Sequence, residues 1–189
     1  MTTNRPNYFV ITGGPGAGKT TIIDALRARG FRTVDEVGRQ IIRAQVAIGG
    51  NALHWGDREA FAELMLSHSI YDFERLGDDP APVFFDHGIP DMTGYFRLIG
   101  APVPAHVKKA TRLFRCNPVV FVAPPWREIY VNDPERKQDF AEAVATWEAC
   151  VAASVEAGYQ LVELSKASVA ERVAFVLDRV ETWTKEPAR

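Results

Sequence analysis

The segment Gly13–Thr20, with the sequence GGPGAGKT, limits the possible folds of this chain more than any other feature. It satisfies the pattern G-x-x-x-x-G-K-[ST] at every position, and the apolar run Tyr8–Thr12 precedes it. Residues 20–29 follow with apolar side chains at helical spacing. A strand, a glycine-rich turn and a helix in this order direct backbone N–H groups and the positive end of a helix dipole at an anion. The sequence therefore predicts a phosphate-binding loop.

The residue types of this loop suit a nucleoside triphosphate with bound Mg²⁺. Lys19 carries a compact positive charge for the β- and γ-phosphates, and the Thr20 hydroxyl is placed to ligate the metal. We expect ATP rather than GTP, because the sequence has no Asn-Lys-x-Asp motif of the kind that reads guanine. The predicted nucleotide-binding residues are Gly13, Gly14, Pro15, Gly16, Ala17, Gly18, Lys19, Thr20 and Thr21.

The rest of the chain alternates short apolar runs with longer amphipathic ones. The runs predict further strands at 31–34, 83–86, 119–122 and 160–164. The amphipathic segments predict helices at 36–47, 58–76, 91–99, 104–115, 140–156 and 168–184. Strands that alternate with helices in this way indicate βαβ units, and therefore a parallel sheet that is covered on both faces.

Length and composition favour a single cytoplasmic domain that spans residues 1–189. A chain of 189 residues with 47% hydrophobic residues suits one core. The net charge of −2 gives no reason to expect a nucleic-acid partner. We expect no signal peptide, because no charged start precedes a long apolar run, and no membrane span, because no apolar run reaches about 18 residues. Cys116 and Cys150 match no metal-binding spacing, so both are predicted to be reduced structural thiols.

Asp86 ends the apolar run Val83–Phe85, and a ligand site in a parallel sheet lies beyond the carboxyl ends of the strands. A carboxylate there can hold a water of the Mg²⁺ shell opposite Thr20, so the predicted metal residues are Thr20 and Asp86. The alternative is an aspartate that caps the following turn. The next residue, His87, is expected on the surface of the turn, with a contact to substrate as the alternative. Many hydrolytic P-loop ATPases carry a glutamate at that position, and its absence favours transfer to a bound acceptor.

A second carboxylate, Glu36, follows the strand predicted at residues 31–34. If that strand neighbours the strand of the phosphate loop, Glu36 faces the same cleft and can accept a proton from an acceptor hydroxyl. Arg39 can then bind an anionic group on the acceptor. The alternative is that Asp35, Glu36 and Arg39 are solvated at a helix N-terminus, where acidic residues are favoured.

The segment PPWREIYVNDPERK at 124–137, between the fourth strand and the next helix, has the features of a mobile lid. In a phosphoryl transferase, arginines at this place stabilise charge on the transferring group. Arg136 is the first choice for that catalytic role and Arg127 the second, while Trp126 and Tyr130 are able to cover a base or an acceptor. The alternative is an exposed loop in which acidic and basic residues pair.

Two further groups of residues are candidates for contacts with the acceptor or with adenine. His54, Trp55 and Phe61 either line an acceptor pocket or belong to the core and to helix caps. Residues 165–168 follow the last predicted strand, a position at which many folds of this class contact adenine.

Four segments together resemble one known family: GGPGAGKTT at 13–21, DEVGRQII at 35–42, FFDHGIPD at 84–91 and WREIYVNDPERKQDF at 126–140. On these segments the chain resembles the small predicted ATPase family of AAA-like P-loop proteins, and in architecture it is similar to nucleoside and nucleotide kinases. The resemblance implies an α/β fold, namely a three-layer α/β/α P-loop NTPase with a five-stranded, mainly parallel sheet. It also implies that the carboxylate after the second strand acts as the base.

The leading hypothesis for function is an Mg²⁺-dependent kinase that transfers the ATP γ-phosphate to a small-molecule acceptor. Its predicted catalytic residues are Lys19, Glu36, Asp86 and Arg136. The acceptor is expected between the helices at 36–47, 58–76 and 91–99, and the protein is expected to act as a monomer or small homo-oligomer. The alternatives are a stand-alone ATPase and a nucleotide-gated switch that acts on a protein partner.

The phosphate-loop interpretation makes one direct prediction. Lys19→Ala removes the charge that faces the β- and γ-phosphates, so nucleotide turnover should be abolished while the fold survives. Steady-state ADP release measures the first effect and circular dichroism the second. Lys108→Ala, on a predicted solvated helix face, is the matched control. Unchanged turnover in folded Lys19→Ala would refute the site assignment.

Overall fold

A computed structural model describes residues 2–131 and 138–185, and its central feature is a sheet of five parallel strands. The strands of the described chain are β1 Thr3–Asn4, β2 Tyr8–Gly13, β3 Arg32–Val34, β4 Val83–Asp86, β5 Phe114–Arg115, β6 Val119–Ala123 and β7 Gln160–Glu163. The central sheet has the order β3-β4-β2-β6-β7, and every neighbouring pair is parallel. The predicted α/β class is confirmed, with a sheet that is entirely parallel.

The helices lie between these strands along the chain, at bounds close to those predicted. They are α1 Lys19–Ala28, α2 Val37–Ile48, α3 Arg58–Arg75, α4 Pro90–Leu98, α5 Ala105–Leu113, α6 Phe140–Glu156 and α7 Val169–Lys185. Among the described residues, none of these helices is both long and apolar enough to cross a membrane.

The central strands are apolar because both of their faces are covered. In β2 the side chains of Phe9 and Ile11 point to one face, and those of Tyr8 and Val10 to the other, and all four are buried. The alternation of side chains along a strand explains why a fully buried strand reads as a continuous apolar run.

Two helical layers cover the sheet and complete a three-layer α/β/α arrangement. On one face, α1 and α7 pack apolar side chains such as Leu26 and Val176 against the sheet. On the other face, Phe73 of α3 and Trp147 of α6 pack against the sheet side chains. A third apolar cluster fills the space among α2, α3, α4 and α5, and its largest buried members include Phe61 and Phe96.

The strand register brings the candidate segments to one edge of the sheet. Ile11 of β2 lies beside Asp86 of β4, and Val34 of β3 lies beside Phe85. Because all five strands run in the same direction, the chain leaves β2, β3, β4 and β6 at the same edge. The phosphate loop, Glu36, the turn after Asp86 and the segment after β6 therefore meet there.

The sequence predicts that the fifth helix ends at Arg115, and this prediction is wrong, because the helix ends two residues earlier. Helix α5 stops at Leu113, and Phe114 and Arg115 form β5, which pairs with β1. Tertiary contacts override the helical pattern: the Phe114 ring packs edge-on against Phe73 at 5.5 Å, and the Arg115 guanidinium lies 4.0 Å above the Tyr159 ring.

Side-chain caps fix the starts of two helices that border the site. Asp57 caps α3, as predicted, because its Oδ1 accepts a hydrogen bond of 3.0 Å from the Ala60 N–H. In α6, Asp139 and Glu142 form a reciprocal capping box, with bonds of 2.8 Å in both directions. Both helices therefore begin at defined residues beside the candidate site.

The close packing of α4 on α6 generates a stability prediction. A Cβ on Gly94 would lie 2.7 Å from the Ala149 carbonyl oxygen, so Gly94→Ala must push the two helices apart. We expect a loss of about 1–3 kcal/mol in the free energy of unfolding. Gly38→Ala in α2 is the matched control, because its new Cβ would meet ordinary contacts at 3.5 Å. Helix propensity should make that change neutral or stabilising by up to about 1 kcal/mol. Urea unfolding of both variants measures the difference, and equal stabilities would contradict the packing argument.

Candidate functional site

The phosphate loop curls around the Lys19 side chain. Gly18 adopts a left-handed conformation with φ of 78°, which glycine reaches without strain, and α1 begins at the next residue. Lys19 is only 4% exposed, and its Nζ donates a hydrogen bond of 2.8 Å to the Gly14 carbonyl oxygen. The ammonium group is therefore held over the loop, at the positive end of the α1 dipole.

Other parts of the backbone press closely on the first two glycines of the loop. A Cβ at Gly13 would overlap the Ala123 carbonyl oxygen at the end of β6. A Cβ at Gly14 would overlap the Ala143 carbonyl oxygen of α6. The lack of side chains at these positions lets β6 and α6 support the loop directly.

Asp86 lies beneath the loop, where sequence analysis predicts a metal-binding carboxylate. It is 4% exposed, and its Oδ2 accepts a long hydrogen bond of 3.4 Å from the Thr20 hydroxyl. Burial raises the pKa of this carboxyl, but the nearby Lys19 ammonium, His87 and the Thr20 hydroxyl together lower it below the usual value. The carboxyl is therefore ionised at neutral pH.

His87 is half-buried rather than fully exposed on its turn. Its side chain is 21% exposed, and its Nδ1 lies 3.0 Å from Asp86 Oδ1. Its backbone has a φ of 79°, an uncommon conformation for a residue with a side chain, and its N–H donates to the Ile11 carbonyl at 3.0 Å. This hydrogen bond continues the pairing of β4 with β2 by one residue, and the imidazole lies on the side of the site.

Asp91 is a buried site residue whose role sequence analysis missed. Its Oδ2 accepts hydrogen bonds from the Thr12 hydroxyl at 2.8 Å and from the Gly88 N–H at 2.9 Å. The carboxylate thereby ties the end of β2 to the turn after Asp86. The FFDHGIPD segment contains this aspartate, but its position in the first turn of a helix also suited a plain solvated acid.

Two of the cavities at this edge of the sheet are lined by Glu36. The larger, of about 530 Å³, is bounded by the phosphate loop from Pro15 to Thr21 together with Arg39 and Val169. The smaller, of about 100 Å³, is mostly apolar and lies among α2, α3, α4 and α6. The residues that line both cavities are Pro15, Glu36 and Gln138.

Glu36 stands at the junction of the two cavities, at the N-terminus of α2. One donor atom each of Glu36, Asp86 and His87 lies within 4.8 Å of the others. Asp35, the neighbouring acid, points elsewhere and forms an ion pair with Arg27 of α1. Arg39 lines only the larger cavity.

The oxygen atoms at the carboxyl ends of the strands suit a divalent cation that prefers oxygen ligands. The Thr20 hydroxyl and the Asp86 carboxylate adjoin the loop, and Glu36 lies close by. Asp86 Oδ1 is buried and lies 3.0 Å from His87 Nδ1 without a well-aligned hydrogen bond, so this oxygen can serve a ligand that approaches beside the imidazole.

The segment after β6 lies over the phosphate loop. Ile129 and Tyr130 line the larger cavity, the Tyr130 ring lies against Gly16, and its hydroxyl donates a bond of 2.6 Å to the Gln138 carbonyl. The Arg127 guanidinium instead stacks 4.8 Å from the centre of the Phe140 ring. Arg136, the predicted lid arginine, lies outside the described residues.

Aromatic side chains form one wall of the smaller cavity. His54 and Phe61 line it, with Tyr95 next to Phe61 at a ring distance of 5.8 Å. Trp55 packs edge-on against His54 at 4.6 Å and remains 39% exposed. Burial raises the pKa of Tyr95 to about 12, although Arg58 partly opposes the shift, so its hydroxyl stays protonated. Phe61 is thus both a core residue and a cavity residue.

Arg172 is a second residue that sequence analysis missed. It is 2% exposed, and its Nη1 donates a hydrogen bond of 3.1 Å to the Ala17 carbonyl of the phosphate loop. Burial lowers its pKa, because the charged form is poorly solvated there. Ser168, in the predicted adenine-contact segment 165–168, lies at the start of α7. Its N–H donates a hydrogen bond to the Glu171 carboxylate, and its hydroxyl accepts one from the Glu171 N–H.

Both cysteines are unpaired, as predicted. Burial raises the pKa of the Cys116 thiol to about 12 and raises that of Cys150 well above its ordinary value. Neither thiol is therefore ionised at neutral pH.

Comparison with known sequences identifies the family. A sequence profile described as an AAA domain matches residues 8–172. The chain belongs to the AAA domain family. A search of curated protein sequences finds no significant match for this AAA domain protein.

Several solved structures with similar folds are kinases of low sequence identity to this AAA domain chain. A deoxyadenosine kinase from M. mycoides has a TM-score of 0.66 and 10% identity, and the alignment covers 93% of this chain and 99% of that one. A thymidylate kinase from Candida albicans has a TM-score of 0.65 and 12% identity, with coverages of 94% and 92%. A shikimate kinase from Acinetobacter baumannii has a TM-score of 0.57 and 13% identity, with 95% of both chains covered. These similarities show a shared fold.

The contact between Arg172 and the loop leads to a binding prediction. Arg172→Met removes a buried positive charge and the hydrogen bond to Ala17, so we expect Mg-ADP to bind about 10-fold more weakly. Isothermal titration calorimetry measures the affinity, and thermal unfolding reports whether the variant is folded. Arg179→Met, on an exposed part of α7, is the matched control. Equal affinities in two folded variants would contradict the role assigned to Arg172.

Proposed function

We propose that this AAA domain protein is an Mg²⁺-dependent phosphotransferase that moves the γ-phosphate of ATP to a hydroxyl of a small-molecule acceptor. One observation carries this proposal: the cavity at the phosphate loop and the apolar cavity meet at Glu36. A donor bound in the first cavity and an acceptor bound in the second have their reacting groups side by side at a carboxylate. Such positioning is a large part of what catalysis of phosphoryl transfer requires.

The phosphate loop binds the triphosphate in this proposal. Backbone N–H groups of Gly13–Thr21 and the start of α1 face its oxygens, and Lys19 neutralises charge on the β- and γ-phosphates. Arg172 adds positive charge from behind the loop and keeps the Ala17 carbonyl turned away from the phosphates.

Thr20 and Asp86 would hold the magnesium ion. The Asp86 carboxylate and the adjacent Thr20 hydroxyl would supply the oxygen ligands, or hold the waters, that such a site needs. An ion held by Thr20 and Asp86 would supply positive charge against the charge that develops on the phosphate oxygens. Asp91 keeps Asp86 in place, because it bonds both Thr12 of β2 and the turn that follows Asp86.

Glu36 acts as the base that receives the acceptor proton. The acceptor oxygen attacks the γ-phosphorus, the bond to the β-phosphate oxygen breaks, and the proton passes to the Glu36 carboxylate. ADP and the phosphorylated acceptor then leave. We assign Arg136 to charge stabilisation on the transferring group, in the part of the chain between Tyr130 and Phe140.

The fold similarities support a kinase without fixing its acceptor. By their names, the three neighbours described above act on a nucleoside, a nucleotide and shikimate respectively. The histidine after Asp86 also favours transfer over hydrolysis.

We further propose that residues 1–189 form one domain, and that the protein is a cytoplasmic monomer or small homo-oligomer that binds neither nucleic acid nor membrane.

Glu36→Gln tests the base while preserving the size of the side chain. We expect acceptor-dependent ADP release to fall about 10²- to 10⁴-fold, with Mg-ATP affinity unchanged. Glu148→Gln, on the exposed face of α6, is the matched control.

The assay combines Mg-ATP with nucleosides, nucleoside monophosphates, sugars and small alcohols, and mass spectrometry identifies any phosphorylated product. The kinase proposal requires one acceptor to raise ADP release above the acceptor-free rate. If every acceptor gives the same ADP release and no product forms, the stand-alone ATPase or the nucleotide-gated switch becomes the better account.

A further inference from the structure

The walls of the smaller cavity define the chemistry of its occupant. We infer that the acceptor is an uncharged hydroxyl compound with a flat, apolar ring, and that it carries no phosphate or other anionic group. This inference rests on the proposed function, because it treats the smaller cavity as the acceptor site.

Most of the lining is apolar or aromatic. Its large apolar side chains are Val37, Ile42, Phe61, Met65, Met92 and Leu98. Phe61 and Tyr95 meet at an interplanar angle of 62°, so the cavity presents ring faces and edges to its occupant. Burial of a flat ring among such groups is favourable both through the apolar area removed from water and through aromatic contacts.

Carboxylates supply the permanent charges on the lining in the described part of the chain, and the imidazoles of His54 and His87 lie beside them. Glu36, Asp86 and Asp91 line the cavity, and no lysine or arginine does so among the described residues. Arg39 faces the larger cavity, and exposed Arg58 donates through Nε to the His54 carbonyl at 2.7 Å. A phosphate or carboxylate on the acceptor would meet like charge and would lack the arginine fork or lysine that recognises such groups.

The polar atoms on the lining suit neutral hydrogen-bonding groups. Tyr95 OH and Asp91 Oδ1 are both buried, and neither has a hydrogen-bond partner among the described residues. Since buried polar groups are nearly always satisfied, these two atoms indicate a ligand with matching donors and acceptors. A protonated phenol donates to a ring nitrogen or a carbonyl, and a carboxylate accepts from a hydroxyl or amine.

Matched pairs of a nucleoside and its 5′-monophosphate test the inference, because each pair differs only in the anionic group. Adenosine with AMP, cytidine with CMP and thymidine with TMP are titrated into the protein saturated with Mg-ADP. We expect at least one nucleoside to bind 10-fold or more tightly than its monophosphate. The inference is overturned if the monophosphates bind more tightly, or if no nucleoside binds at all.

Tyr95→Phe tests the site by removing one hydroxyl from its lining. The variant should bind the preferred nucleoside about 10-fold more weakly and keep its affinity for Mg-ADP. Tyr71→Phe, at an exposed position of α3, is the matched control and should bind like the unaltered protein. Equal nucleoside affinities in both variants would remove Tyr95 from the site and count against the inference.

Product analysis separates this inference from the proposed function. Phosphorylation of the bound nucleoside by Mg-ATP supports both. Nucleoside binding without any product or acceptor-dependent ADP release would refute phosphoryl transfer and leave the neutral-ligand site standing. Phosphorylation of a monophosphate in preference to its nucleoside would support phosphoryl transfer and refute the inference that the acceptor carries no anionic group.

Discussion

Strand β2 exchanges backbone hydrogen bonds with β4 on one side and with β6 on the other, in a register that places Ile11 beside Asp86 and Gly13 beside Ala123. Because these pairings are parallel, the phosphate loop and the turn after β4 leave the sheet together. Helix α1 then starts over the same edge, with its positive dipole end toward the candidate site. Removal of β2 from the centre would separate the groups that the proposed reaction needs together.

Two buried aspartates at this edge have different tasks because their partners differ. Asp91 uses one oxygen to join Thr12 to the Gly88 N–H, and so fixes the turn between β4 and α4. Asp86 receives a long bond from Thr20 on one oxygen, and its other oxygen faces the His87 imidazole at 3.0 Å. Asp91 therefore fixes the turn with one oxygen and turns its other oxygen to the smaller cavity, while Asp86 faces the phosphate loop.

The sheet and the loop were predictable because their patterns are local. A strand buried on both faces must be apolar throughout, and the loop motif names Lys19 and Thr20 directly. His87, Tyr95 and Arg172 were not predictable, because helices and turns carry such residues on solvated faces equally well. Their positions depend on strand register and on how α4 and α7 pack, and the spacing of residues along the chain does not contain that information.

The close approach of β6 and α6 to the first glycines of the loop has a consequence for the inheritance of this motif. Side chains at Gly13 and Gly14 would collide with backbone carbonyls of the protein itself, whether or not a nucleotide is present. Selection for a stable fold alone therefore preserves these glycines. A descendant that had lost turnover would keep the two glycines and would be free to lose Lys19. The presence of the lysine is therefore a better sign of retained turnover than the presence of the glycines.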